Sequence, residues 1–209
     1  VSCACPNGVQ GVQVCLDGGA GFGPCDCPAP TPKPQFRSSE PTILVKKQKE
    51  PVGIAVDDGR VYWANHGNGT VMAVPKGGGE PIALASKQAG PRHVAVDATT
   101  VYWTNSRGGT VMSVPKAGGE PVKLASGQRS PWRIALDDES VFWVNADGDG
   151  PNGSVMSVPK AGGKPTVIAR GLVTPSALAV DGQDVYWITT NVAGSVMVAP
   201  KAGGEARKL

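Results

Sequence analysis

The chain has 209 residues, and its 20 basic and 17 acidic side chains leave a dispersed net charge of +3. No basic run interleaved with aromatics marks a nucleic-acid surface, and no apolar stretch reaches the roughly 20 residues a membrane-spanning helix needs. Charged residues make up only 18% of the chain while Gly numbers 29 and Pro 19, a balance that suits short strands and tight turns better than helices.

In chain order, residues 1–27 form a cysteine-rich segment that holds all five cysteines, Cys3, Cys5, Cys15, Cys25 and Cys27. Their spacing is nearly palindromic: C-x-C, nine residues, Cys15, nine residues, C-x-C. Zinc sites favour C-x2-C pairs or added histidines, and this segment has neither. With few apolar side chains available for a core, disulfides are the expected source of order, which places the protein in an extracellular, periplasmic or outer-envelope setting. The odd count leaves one thiol free, modified or paired elsewhere. The chain opens at Val1 rather than Met, compatible with a leader that was removed or never included in this sequence. Ser2 before Cys3 is also compatible with a lipid anchor near the N-terminus. Residues 28–39 (PAPTPKPQFRSS) are a Pro-rich linker whose alternating prolines favour an extended, semi-rigid spacer.

Residues 40–209 repeat. Units start at Pro51, Pro91, Pro131 and Pro175, spaced by 40, 40 and 44 residues, and Trp63, Trp103, Trp143 and Trp187 keep the same spacing. Each unit reads P-x-x-[IVL]-A-[VL]-D, then V-[YF]-W, then [TS]-V-M-x-[VA]-P-K-x-G-G. This period, with four short strands per unit, predicts an all-β fold of β-propeller blades. In the first unit the strands are predicted at 53–57, 61–65, 70–75 and 81–86, with Asn68-Gly69 as a hairpin signal. Nearly continuous apolar strands are expected where both sheet faces are covered by neighbours.

At VYWAN, VYWTN, VFWVN and VYWIT the sequence resembles the YWTD repeats of LDL-receptor class B propellers and is similar to bacterial TolB-like propellers. The resemblance spans roughly residues 40–209. It implies a structural role for Asp57, Asp97, Asp137 and Asp181 and for the Tyr-Trp pairs. It also implies six blades where four are counted, and the motif's last Asp is replaced by Asn65, Asn105, Asn145 and Thr189. Residues 40–45 align with residues 80–85, a fourth strand without its own first three, which makes residues 42–47 a candidate strand. Either they complete the last blade and close a small ring, or the chain is part of a larger ring. The small size of a four-blade ring favours the second arrangement.

Function is expected where the copies disagree. Loops between second and third strands and blade-to-blade connections share one rim. A ligand surface is predicted there from His66, Arg92, His93, Arg107, Trp132, Arg133, Asp147 and Asp149; the competing reading is that unconstrained loops drift. Trp132 stands where the other units have Val52, Arg92 and Ser176, and its ring suits stacking on a sugar or a peptide side chain. Asn145-Ala146-Asp147-Gly148-Asp149-Gly150 resembles the start of a calcium loop, but the twelfth position is Met156, so no EF-hand is present. A calcium-bracing turn on Asp147 and Asp149 is the sole cofactor reading. Lys76, Lys116, Lys160 and Lys201 lie in Pro-Lys-x-Gly-Gly segments, which are not phosphate loops and are expected to be solvated turns.

The leading expectation is a secreted or cell-envelope binding protein that recognises a protein, peptide or glycan. The alternatives are a lyase- or hydrolase-type propeller enzyme using His66 and His93, the two histidines of the chain, or a structural scaffold. No G-x-S-x-G elbow supports serine catalysis.

Overall fold

The computed structural model describes residues 2–4, 10–12, 41–146, 148, 150–190 and 194–209. The disulfide, linker, lipid-anchor and calcium readings lie outside these residues. So do Asp147, Asp149 and every cysteine except Cys3, of which only the backbone is described. The chain divides into two compact units, Val1–Thr42 and Ile43–Leu209. In the first, β1 (Ser2–Ala4) pairs antiparallel with β2 (Gln10–Val12). No helix among the described residues is long and apolar enough to cross a membrane.

The second unit is four antiparallel sheets of four strands each, every sheet taking its strands in sequence order. Blade 1 comprises β3 (Pro51–Val56), β4 (Arg60–Asn65), β5 (Thr70–Pro75) and β6 (Ile82–Ala85). Blade 2 comprises β7 (Pro91–Val96), β8 (Thr100–Asn105), β9 (Thr110–Pro115) and β10 (Val122–Ala125). Blade 3 comprises β11 (Pro131–Leu136), β12 (Ser140–Asn145), β13 (Gly153–Pro159) and β14 (Thr166–Leu172). Blade 4 comprises β15 (Pro175–Val180), β16 (Asp184–Thr189), β17 (Ser195–Pro200) and β18 (Arg207–Lys208).

Local chemistry sets the turns. Asp57 closes the first hairpin by accepting the Gly59 and Arg60 N–H groups on Oδ1 at 2.9 and 2.8 Å, and Asp97, Asp137 and Asp181 do the same in their blades. The Pro-Lys-x-Gly-Gly turn needs its paired glycines: Gly78 and Gly79 have φ of 87° and 131°, a region L side chains avoid.

Blade-on-blade packing makes the core. Tyr62, Ala64, Val71, Ala73 and Leu84 of blade 1 pack on Val94, Val101, Trp103 and Val114 of blade 2. The homologous residues join blade 2 to blade 3 and blade 3 to blade 4. The motif Trp of blades 2, 3 and 4 (Trp103, Trp143 and Trp187) therefore lies in an interblade seam, which explains why strands read as continuously apolar. The first strands β3, β7, β11 and β15 lie side by side along the inner edge. At Gly53 the neighbouring blade comes so close that a Cβ would sit 2.5 Å from the Arg92 carbonyl oxygen.

Residues 42–47 do not complete blade 4. They form no strand, and β18 is the fourth strand there, paired with β17. Among the described residues, no packing comparable to the three interblade seams joins blade 4 to blade 1. The blades form an open arc.

Candidate functional site

A β-bulge recurs at the start of every first strand. Pro91 pairs with Asn105 and Val94 with Trp103, so Arg92 and His93 together oppose the single residue Thr104. The same shift frees Val52 and Gly53, Trp132 and Arg133, and Ser176. A bulge bends the strand and re-aims its side chains. Here it does so at the positions where the repeats differ most.

The residue before each of these prolines, Glu50, Gly90, Ser130 and Thr174, is in a left-handed conformation with φ between 44° and 72°. Its carbonyl accepts the N–H of His66, Ser106, Ala146 or Thr190, at the start of the neighbouring second-to-third-strand loop. Each clasp holds a bulge beside a loop, so the two variable segments of a blade share one rim. Three of these four residues carry a side chain, and holding non-Gly residues there stores backbone strain at the rim.

The rim brings together His66, Arg92, His93, Arg107, Trp132 and Arg133. The Arg92 guanidinium lies over the Trp132 ring, 3.4 Å from its centroid. Trp132 is anchored through its carbonyl, which accepts the Thr104 hydroxyl at 2.7 Å, and Thr104 also accepts the His93 N–H. Arg133 Nε donates to the Ser176 carbonyl of blade 4 at 3.3 Å. Arg107 lies across Gly90, where a Cβ would be 2.9 Å from its Cγ.

The electrostatics follow from that crowding. Burial, and then the nearby Arg133 charge, hold His93 down at about 4, so its imidazole is neutral at physiological pH. Burial also lowers His66, aided by Arg107 and Arg92 and opposed by Glu50. Arg92 itself is lowered by burial and by Arg133. The Nδ1 atoms of both histidines are buried without a hydrogen-bond partner. Among the described residues, Arg92, Arg107 and Arg133 have no carboxylate partner. Next to them, Trp132, Thr174, Pro175, Ser176 and Thr190 line a cleft of about 330 Å³.

Two sequence expectations change. One face of Trp132 is already stacked on Arg92, so it is not a bare platform for a sugar ring. Three of the four repeat lysines are not solvated turns. Lys116, Lys160 and Lys201 each reach back to the preceding blade, bonding Asp57 at 2.6 Å, Asp97 at 2.8 Å and Asp137 at 2.6 Å. Each also lies 5.6–5.7 Å from the ring of Tyr62, Tyr102 or Phe142. The turn was assigned from its local sequence, while the partner sits a whole blade away.

A set of residues was missed altogether. Gln48, Gln88 and Gln128 each place Oε1 between the Trp Nε1–H and the Asn Nδ2–H of the following blade, at 2.9–3.2 Å. The signal was there: a Gln 15 residues before the Trp in three units, with Leu172 in the fourth. In that fourth unit Thr189 replaces the Asn, and Trp187 Nε1 is left without a partner.

A cavity of about 740 Å³ opens at the opposite rim beside Asp57, Tyr62, Asp97 and Lys116. Two of its carboxylates are already paired, Asp57 with Lys116 and Asp97 with Lys160. The arginine rim is the better candidate because its charges are not.

The blades, their order and their seams define a β-propeller, and solved structures agree. The chain is similar to a chain of a nidogen/laminin complex, with a TM-score of 0.66 at 23% identity, covering 77% of this chain and 65% of that one. It is similar to virginiamycin B lyase from Staphylococcus aureus, with a TM-score of 0.62 at 16% identity, covering 76% and 55%. It is similar also to the calcium-binding protein regucalcin from Agrobacterium tumefaciens, with a TM-score of 0.61 at 16% identity, covering 79% and 61%. The chain thus spans between about half and two thirds of each of these. No protein-family model matches it, and no curated protein matches it significantly.

Proposed function

We propose that this protein is a secreted or envelope-located β-propeller binding protein whose arginine rim captures an acidic segment of a partner protein. The observation that carries this reading is the convergence of Arg92, Arg107 and Arg133 without a carboxylate partner among the described residues. Guanidiniums held without counter-charges are poised for carboxylates, which they bind through charge-assisted and often bidentate hydrogen bonds. Stacking on Trp132 fixes the Arg92 plane and so lowers the entropy lost on binding. The five cysteines within the first 27 residues support the oxidising location. A propeller in a nidogen/laminin complex supports protein binding as a use of this fold.

Fluorescence anisotropy with a labelled Glu/Asp-rich peptide tests the reading, with the Gln/Asn version and a sulfated oligosaccharide as controls. The acidic peptide should bind, weaken as salt rises, and lose roughly tenfold (~1.4 kcal/mol) in affinity in Arg92→Ala. Equal binding of the neutral peptide, or preference for the oligosaccharide, would overturn it.

A second reading is a lyase- or hydrolase-type enzyme. It is favoured by two neutral imidazoles at the same rim, each with Nδ1 unpartnered. That reading requires a turnover that disappears in both His66→Ala and His93→Ala.

A further inference from the structure

The position after the first proline of each unit carries Val52, Arg92, Trp132 and Ser176 in turn. Between blades 2 and 3 two of these side chains form a stack, with the Arg92 guanidinium 3.4 Å from the centroid of the Trp132 ring. Blade 4 continues the series with Ser176, which is too short to stack on the indole. The space beside Trp132 is instead the cleft of about 330 Å³ bordered by Thr174, Pro175, Ser176 and Thr190. It opens between blades 3 and 4, and this chain supplies both sides of that seam.

The chemistry of the cleft narrows what can enter it. Every side chain lining it is uncharged, and its walls include the indole of Trp132 and the ring of Pro175. Roughly 150 Å³ of apolar space is enough for a benzene ring, so the cleft takes an aromatic side chain whole. Arg133 stands at its edge, held there by Nε donating to the Ser176 carbonyl at 3.3 Å. Arg92 and Arg133 together repel a cation from this place. A neutral ring meets no such penalty and gains from stacking on the indole.

We propose that this cleft is a subsite for an aromatic side chain, Phe or Tyr, carried by the acidic segment whose carboxylates meet Arg92, Arg107 and Arg133. The inference rests on the arginine-rim reading and adds a sequence requirement to it, an aromatic residue flanked by acidic ones. The ring takes the place on Trp132 that Ser176 leaves open, so the stack runs from Arg92 through Trp132 to the ligand. Trp132 is already fixed, by Arg92 on its ring and by the Thr104 hydroxyl on its carbonyl, so the ring meets a preformed platform and little further order is lost on binding.

Fluorescence anisotropy with the full chain and a labelled Glu/Asp-rich peptide tests it. Ala, Leu or Phe is placed at successive positions of the otherwise fixed peptide. At one position the Phe peptide should bind about five- to tenfold more tightly than the Ala peptide, and more tightly than the Leu peptide. Ser176→Trp fills the cleft with the residue that blade 3 carries at the equivalent position, and Trp132→Leu removes the platform. Each should bring the Phe-to-Ala affinity ratio to about one while the circular dichroism spectrum stays that of wild type. An Ala peptide that binds with no gain from Phe at any position, an equal gain from Leu, or a ratio preserved in both variants would overturn the subsite and leave the arginine rim standing. An Ala peptide that fails to bind wild type would overturn the arginine-rim reading, and the subsite with it.

Discussion

Replacing Lys160 by Met removes one interblade clasp while keeping most of the aliphatic stem. In the intact protein burial pushes the Asp97 carboxyl up. Lys160, the N–H groups of Thr99 and Thr100, and the Tyr102 hydroxyl outweigh that, and the net value falls from 3.8 to about 2. At ~1.4 kcal/mol per pKa unit, the whole shift corresponds to at most ~2.5 kcal/mol at neutral pH. Lys160 is one of four favourable contributors, and both side chains retain 17–24% exposure, so water screens the pair. Its share is about 1 kcal/mol, and a unit of this size should lose about 2–4 °C in Tm. The sign with pH follows from the carboxylate. Its folded value lies below its unfolded one, so the stabilisation is full above about pH 4 and is lost as pH falls through about 2. Differential scanning calorimetry of wild type and Lys160→Met should therefore show a gap at neutral pH that narrows towards about pH 2. A variant as stable as wild type at neutral pH, or a gap unchanged in acid, would refute the clasp as a stabilising element.

Gly53→Ala should cost about 2–3 kcal/mol, because its Cβ meets the Arg92 carbonyl oxygen and the His93 Cα, both at 2.5 Å, and blade 2 must move. Urea denaturation measures it, and a neutral effect would mean the seam gives way easily. Gln88→Leu leaves Trp103 Nε1–H and one Asn105 Nδ2–H without that acceptor and should cost about 2 kcal/mol by the same measurement. Stability equal to wild type would show that water replaces the Gln. His93 titrates at about 4 when folded and higher when unfolded, so acidification from about pH 6.5 towards 4 favours the unfolded chain. His93→Gln should flatten that part of the stability profile, and an unchanged slope would assign it to other groups.

The blade repeat was legible because each blade reuses one solution: a Trp at the seam, an Asp closing a hairpin, and two glycines turning the next one. Strands predicted at 53–57, 61–65 and 70–75 appear as Pro51–Val56, Arg60–Asn65 and Thr70–Pro75. The Gly-Gly turn is a local object; its lysine was read as one too, as a solvated turn, and is not. Lys116 meets Asp57 59 residues away, a contact that local periodicity does not encode. The bulge at Arg92 and His93 was also hidden, since it is a shift in pairing register and leaves the hydrophobic pattern intact. Variability between units pointed to the rim. It did not show that Arg92 would lie on Trp132, because that contact joins two blades. The surplus fourth-strand sequence at 42–47 was read as a strand with two possible roles, yet it forms no strand and pairs with none of the described strands. Gln48, which follows it, still serves Trp63 as Gln88 serves Trp103.

Charge reversal at the arginine rim tests the binding account most directly. Arg92→Glu combined with Arg133→Glu replaces two of the three converging cations; it removes the Arg92–Trp132 stack and the Arg133–Ser176 hydrogen bond but leaves the buried seam clusters and the Lys–Asp clasps in place. Isothermal titration with an acidic peptide and its Lys/Arg counterpart should show wild type binding the acidic peptide and the variant preferring the basic one. An unchanged preference for the acidic peptide in the folded variant would contradict the account and move the ligand site away from this rim.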